Sequence, residues 1–194
     1  MGPLSTSHGS SDEDVRSVTF APPDEIDLRQ LAKGTDHLSP AVCGQLVEAA
    51  VCCLAHQGHD NGAHMEVNGS AVVVRCGDLD PRANASHADR QDATEDGAVA
   101  IAIALIRAGT DLDVVQRSWK GTGFDYFLTS GTGNAPFEGS ACLEVSGILA
   151  EDDLSMRRRV AAKVKQVDAG DGALPGYVAV VGFSLPRAAV KSVP

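Results

Sequence analysis

A chain of 194 residues with 43% hydrophobic side chains can bury a core of its own, and 4% aromatic content leaves that core to Val, Ala, Leu and Ile. With 16 basic residues against 26 acidic ones, the formal net charge is −10. That balance excludes a protein that coats nucleic acid through its average charge, although a local basic patch can still hold phosphate.

Residues 1–38 are polar and acidic and contain Pro and Ser, so "SSDEDVRS" and "APPDE" predict a mobile arm with a short helix over Asp24 to Ala32. A single α/β domain is expected over 39–194. It begins at "SPAVCGQLVEAAVCCLAHQGH", where Ser39 can cap and Pro40 suits the first helical position. Val42, Leu46, Ala49, Ala50 and Leu54 then share one helical face. In "HMEVNGSAVVVRC", Asn68-Gly69 is a hairpin signal between two β-prone runs. Residues 78–90 read as a loop.

"DATEDGAVAIAIALIRAGT" predicts a helix capped by Asp92 and ended at Gly109. It is apolar nearly all round, so it should lie buried against a sheet. "DVVQRSWK" predicts a strand, followed by a turn at Gly121-Thr122-Gly123 and a second strand in "GFDYFLTS". "SGTGNAPFEGS" is a loop and "ACLEVSGIL" a third strand. "LSMRRRVAAKVKQVDAG" predicts a helix with an apolar stripe at Met156, Val160, Val164 and Val167. "GYVAVVGFSL" reads as the final strand, central in its sheet. The order from Asp92 to Leu185 is α-β-β-β-α-β.

Cys43, Cys52, Cys53, Cys76 and Cys142 make no C-x-x-C pair, which argues against a disulfide scaffold and a zinc site. Buried reduced thiols are expected. The first residues lack the apolar run of a signal peptide, and the longest apolar run, Gly97 to Ile106, is shorter than the about 20 residues a bilayer span takes. A cytoplasmic chain with no membrane association is expected.

The element order and its acids resemble the PD-(D/E)xK, or restriction-endonuclease-like, superfamily over about half the chain. There an α-β-β-β-α-β core carries an Asp at the second strand and a Glu-x-Lys on the third. "GTGFDYFL" matches the Asp segment at Asp125 and "CLEVSG" the Glu-x-Lys segment at Glu144. Ser146 stands where the family has its lysine. The resemblance implies a Mg²⁺- or Mn²⁺-dependent phosphodiesterase of a bacterial defence or DNA-processing system. Asp125 and Glu144 would hold the metal, and Ser146 would orient water or a ligand. The missing lysine would be replaced by Lys120, at the turn before the Asp125 strand, or by Lys163, on the following helix. Gln166 is a further polar candidate on that helix.

Strand alternation puts Glu144 and Ser146 on one face with Cys142 and Ile148. If the second strand pairs with the third, Asp125 lies beside Glu144. The plain alternative is that both acids point to solvent from a sheet edge. Some family members take a metal-binding Glu from the first core helix, which makes Glu95 a third candidate. Asp92-Ala93-Thr94-Glu95 also has capping-box spacing, and the capping reading is the stronger one. Arg157, Arg158, Arg159, Lys163 and Lys165 form a local positive stretch that can grip phosphates or serve only as a solvated helix face. The Ser146 departure, the net charge and the acidic arm favour a second reading: a non-catalytic immunity, regulatory or structural interaction protein on the same fold. The partner is then a protein instead of nucleic acid, and a homo-oligomer stays open under both readings.

Overall fold

The computed structural model describes residues 19–131, 140–168 and 174–193. Strands β1 (Glu25–Asp27), β2 (Ala63–Val67), β3 (Ser70–Arg75), β4 (Asp113–Arg117), β5 (Tyr126–Thr129), β6 (Ala141–Ile148), β7 (Gly176–Gly182) and β8 (Arg187–Val193) form one mixed sheet. Its order is β1-β3-β2-β8-β7-β6-β5-β4. The helices are α1 (Leu28–Leu31), α2 (Pro40–His56), α3 (Ala83–Ser86), α4 (Arg90–Gly109) and α5 (Asp153–Asp168). From α4 to β7 the order is α-β-β-β-α-β, as the periodicities predict.

Helix α4 lies across one face of the sheet with α2 packed along it, and α5 covers the other face. The near-continuous apolar character of α4 has its cause here: Ala98, Ala100, Ile101, Ala102, Ile103, Leu105 and Ile106 are fully buried between sheet and α2. Close approach needs small residues at two points. A Cβ on Gly97 would meet the Ala50 backbone at 2.9 Å, and one on Gly147 would meet the Thr94 carbonyl at 2.3 Å. Gly147 therefore sets how closely β6, which carries Glu144, sits on α4. Strand β7 is buried along its whole length, and each fully buried Val there contributes about 1.5–3 kcal/mol. On the other face Met156, Val160, Val164 and Val167 of α5 pack against Val178, Val180, Val193, Ile148 and Ala189.

The hairpin forms at Asn68 (φ 50°) and Gly69 (φ 87°), the left-handed pair that a two-residue turn requires. The Asn68 amide also donates to the Val190 carbonyl (2.8 Å) and accepts from the Val190 amide (3.0 Å). It thereby extends the parallel pairing of β2 with β8.

Several expectations are corrected. Strand β7 is not the last: β8 follows it, pairs antiparallel with it and joins it to the hairpin. The expected arm over 1–38 is folded from residue 19 on. Phe20, Ile26, Leu28 and Leu31 are buried, β1 pairs with β3, and the expected Asp24 to Ala32 helix is instead β1 followed by the single turn of α1. The mobility expected of residues 1–18 lies outside the described residues. Helix α4 is capped by Asp89, which accepts from Gln91 N (2.9 Å) and Asp92 N (3.3 Å); Asp92 is in its first turn. Val42 is 46% exposed, and Cys43 occupies the inward position on α2 instead. The loop over 78–90 contains α3. All five cysteines are buried and unpaired. Among the described residues no helix is long and apolar enough to cross a membrane.

Candidate functional site

Strand β6 is interior, between β7 and β5, and it has α4 on one face and α5 on the other. Leu143 and Val145 point into the α4 core. Glu144 and Ser146 are paired with Val178 and Val180 and share their face, under α5. Glu144 is 2% exposed. The reading of Glu144 as a solvent-facing acid on an edge strand is thereby overturned.

Asp125 precedes β5. Tyr126 is paired with Leu143, so one step back along these antiparallel strands sets Asp125 opposite Glu144. The Asp125 amide donates to the Leu143 carbonyl (3.0 Å), and the next β6 donor, Val145 N, goes to the Asp125 carboxylate (2.8 Å). The side chain thus finishes a ladder that the backbone leaves. That bond also fixes Asp125 beside Glu144, near enough for its charge to raise the Glu144 carboxyl.

Helix α5 supplies the opposing groups. Lys163 Nζ donates to Glu144 Oε1. Gln166 Nε2 donates to the same oxygen (3.0 Å) and to the Gly123 carbonyl (3.0 Å), and Gln166 Oε1 accepts from Lys163 (3.3 Å). Arg159 Nη1 donates to Ser146 Oγ (2.7 Å). Burial pushes the Glu144 carboxyl up, to about 7; the Lys163 bond opposes this and the charge of Asp125 adds to it. The protein therefore holds a carboxyl that changes charge near neutrality, beside a second carboxylate and an ammonium.

Of the residues named from sequence, Asp125, Glu144, Ser146, Lys163 and Gln166 come together with Arg159. Lys120 is exposed on the loop between β4 and β5, with no bond to either carboxylate. Glu95 is exposed on α4 and accepts from Gln91 (3.4 Å). It does not close a capping box, because the helix starts at Asp89. Nor does it join the carboxylate pair: among the described residues no group of three or more His, Cys, Asp or Glu side chains is placed to hold a metal. Arg157, Arg158, Arg159 and Lys165 are exposed and Lys163 is half-buried; of these, Arg159 and Lys163 bond to side chains of β6.

One feature next to the site escaped the sequence reading. Half of the chain's aromatic residues, Trp119, Phe124, Tyr126 and Phe127, fall within nine positions that include Asp125. Their concentration in a chain with 4% aromatics was the available signal. Comparison of the chain with protein-family models, with curated proteins and with solved structures gives no match.

Proposed function

We propose that the chain is a metal-dependent nucleic-acid phosphodiesterase on the PD-(D/E)xK plan, with Lys163 of α5 standing in for the lysine absent at Ser146. The observation that carries this reading is the hydrogen bond from Lys163 to the buried Glu144 carboxyl, with Asp125 held alongside. The α-β-β-β-α-β order and the opposition of Asp125 and Glu144 on neighbouring strands support it.

Two adjacent carboxylates fit Mg²⁺ or Mn²⁺, which take hard oxygen ligands. A divalent cation would also relieve the repulsion and desolvation that raise Glu144. When bound, the ion supplies positive charge and a water of lowered pKa. Asp125 and Glu144 hold it in this reading. Lys163 donates to the scissile phosphate or its attacking water, and Gln166 keeps the Gly123 loop against Glu144. Arg159, bonded to Ser146, adds fixed positive charge to attract the phosphate backbone.

The same ammonium favours a second reading, a non-catalytic interaction protein, because Lys163 already neutralises Glu144 with no ion. Calorimetric titration with Mg²⁺ and Mn²⁺, matched to cleavage assays on single- and double-stranded DNA and RNA, separates the two. The phosphodiesterase reading expects binding heat and cleavage, both lost in Asp125→Asn and Glu144→Gln while the fold is kept. No heat and no cleavage of any substrate leaves the interaction protein.

A further inference from the structure

We propose that Trp119 is a stacking platform for an unpaired base of single-stranded nucleic acid, at the rim of the Asp125–Glu144 site. The ligand class rests on the phosphodiesterase reading; the geometry of the platform does not.

Trp119 is the largest apolar side chain left in solvent among the described residues, at 63% exposure. Its indole is backed by Phe127, with centroids 5.3 Å apart and planes at 39°, and Phe127 is held edge-on by Phe124 at 4.9 Å and 90°. The indole is thus propped from beneath, and its position is not left to a free rotor. Phe127 alternates with the core-facing Tyr126 and Leu128, so it points to the same side of the sheet as Asp125. Helix α5 packs mainly on β6, β7 and β8, and among the described residues no helix packs on the β5–β4 end of that side.

The loop that carries Trp119 is bonded to the site. Ser118 N donates to the Asp125 carbonyl (2.7 Å), and Thr122 Oγ1 bonds the Trp119 carbonyl (3.2 Å) and the Phe124 carbonyl (3.0 Å). Gln166 then ties Gly123 of this loop to Glu144. A ligand that touches the indole therefore meets the loop that Gln166 ties to Glu144. Charge complements this contact: Lys120 is exposed beside Trp119, and Lys163 and Arg159 flank the carboxylates on the α5 side, in a chain of net charge −10. An exposed aromatic face in a region that also carries cations matches a ligand that alternates flat apolar rings with phosphates. In a duplex the base faces are already covered by their neighbours, so the indole selects unpaired bases or frayed ends.

The experiment uses the full chain in EDTA, where metal-dependent cleavage is off. Trp119 is the chain's single tryptophan, so its emission reports this position alone. The probes are an oligo-dT of about 12 nucleotides, an abasic strand with the same number of phosphates, and a blunt duplex. Oligo-dT should quench the emission, and the abasic strand and duplex should not. Trp119→Ala should weaken binding of dye-labelled oligo-dT by about 5- to 150-fold, and Trp119→Phe should recover part of it, with melting temperatures near wild type. Equal affinity of Trp119→Ala and wild type, or equal quenching by the abasic strand, overturns the proposal. Emission unmoved by every oligonucleotide also overturns it and leaves Trp119 as a protein-contact residue. The two readings fail separately: quenching without any cleavage on adding Mg²⁺ keeps the platform and removes the enzyme, whereas cleavage without quenching does the reverse.

Discussion

Replacing Glu144 by Gln keeps the shape of the side chain, and its carbonyl can still accept from Lys163 and Gln166. What it removes is a titration. The ordinary carboxyl value of 4.5 is raised to about 7 in the folded chain, first by burial and then by the charge of Asp125. A group whose folded pKa lies above its unfolded one costs stability as it ionises. Below the unfolded value it is protonated in both states and the cost is nil. The cost grows as pH rises from about 4.5 and is complete once pH has passed about 7. The gap between those two values corresponds to a cost on the order of 3 kcal/mol. Glu144→Gln does not carry it. Urea unfolding of both proteins in EDTA, from about pH 4 to about pH 8, should give curves whose difference is constant at the acid end. Through the window Glu144→Gln should gain on wild type, and the difference should level off above about pH 7. Saturating Mg²⁺ should narrow it at the alkaline end if the carboxylates bind the ion only in the folded state, by about 2.7 kcal/mol at a hundred times Kd. A pH-independent difference in EDTA would refute both the assigned cause and the raised titration.

Lys163→Met removes the ammonium from a nearly buried carboxylate, which should cost about 3 kcal/mol at pH 8 and much less at pH 5, where Glu144 is protonated in either protein. A loss equal at both pH values, read from the same urea curves, would show that packing and not charge pairing is at stake. Glu95→Gln should change neither metal-binding heat nor stability beyond about 0.5 kcal/mol, because the side chain is exposed and away from the pair. Loss of metal heat in that variant would restore the third-ligand role that the structure does not support.

The parts of the fold legible in the sequence are those where one period dominates. The apolar α4 run, the α5 stripe and the Asn68-Gly69 turn each state a local preference that packing then honours. Strand β8 was hidden because Arg187 and Lys191 interrupt "PRAAVKSV". Arg187 is nonetheless largely enclosed at the sheet end, where it donates to Asp153 (2.5 Å) and lies 3.6 Å from Glu151. The folded half of the arm was hidden by dilution. Ile26, Leu28 and Leu31 are few and set among charges, and only the long-range pairing of β1 with β3 makes them core. At the site, strand alternation identified the face of Glu144 and Ser146, since its period leaves no choice. Spacing along the chain did not show which of Lys120 and Lys163 meets Glu144; the rotation of α5 brings Lys163 to it. Trp119 was missed because its partner Phe127 is separated from it by a turn.

The serine at position 146 has a physical account in the pairing of α5 with β6. Glu144 and Ser146, two residues apart on a strand, are separated by about 6.6 Å along it, and Lys163 and Arg159, four residues apart on a helix, by about 6 Å. The two spacings nearly match, so Lys163 can meet Glu144 while Arg159 meets Ser146. A lysine at position 146 would thrust a second cation at the Arg159 guanidinium, and the like charges would compete for one space under α5. A serine there presents a hydroxyl that accepts from the guanidinium and brings no charge of its own. Positive charge is therefore not missing from this face of β6. It is delivered from the helix at both positions, and the strand residue opposite each cation is the one that can accept it.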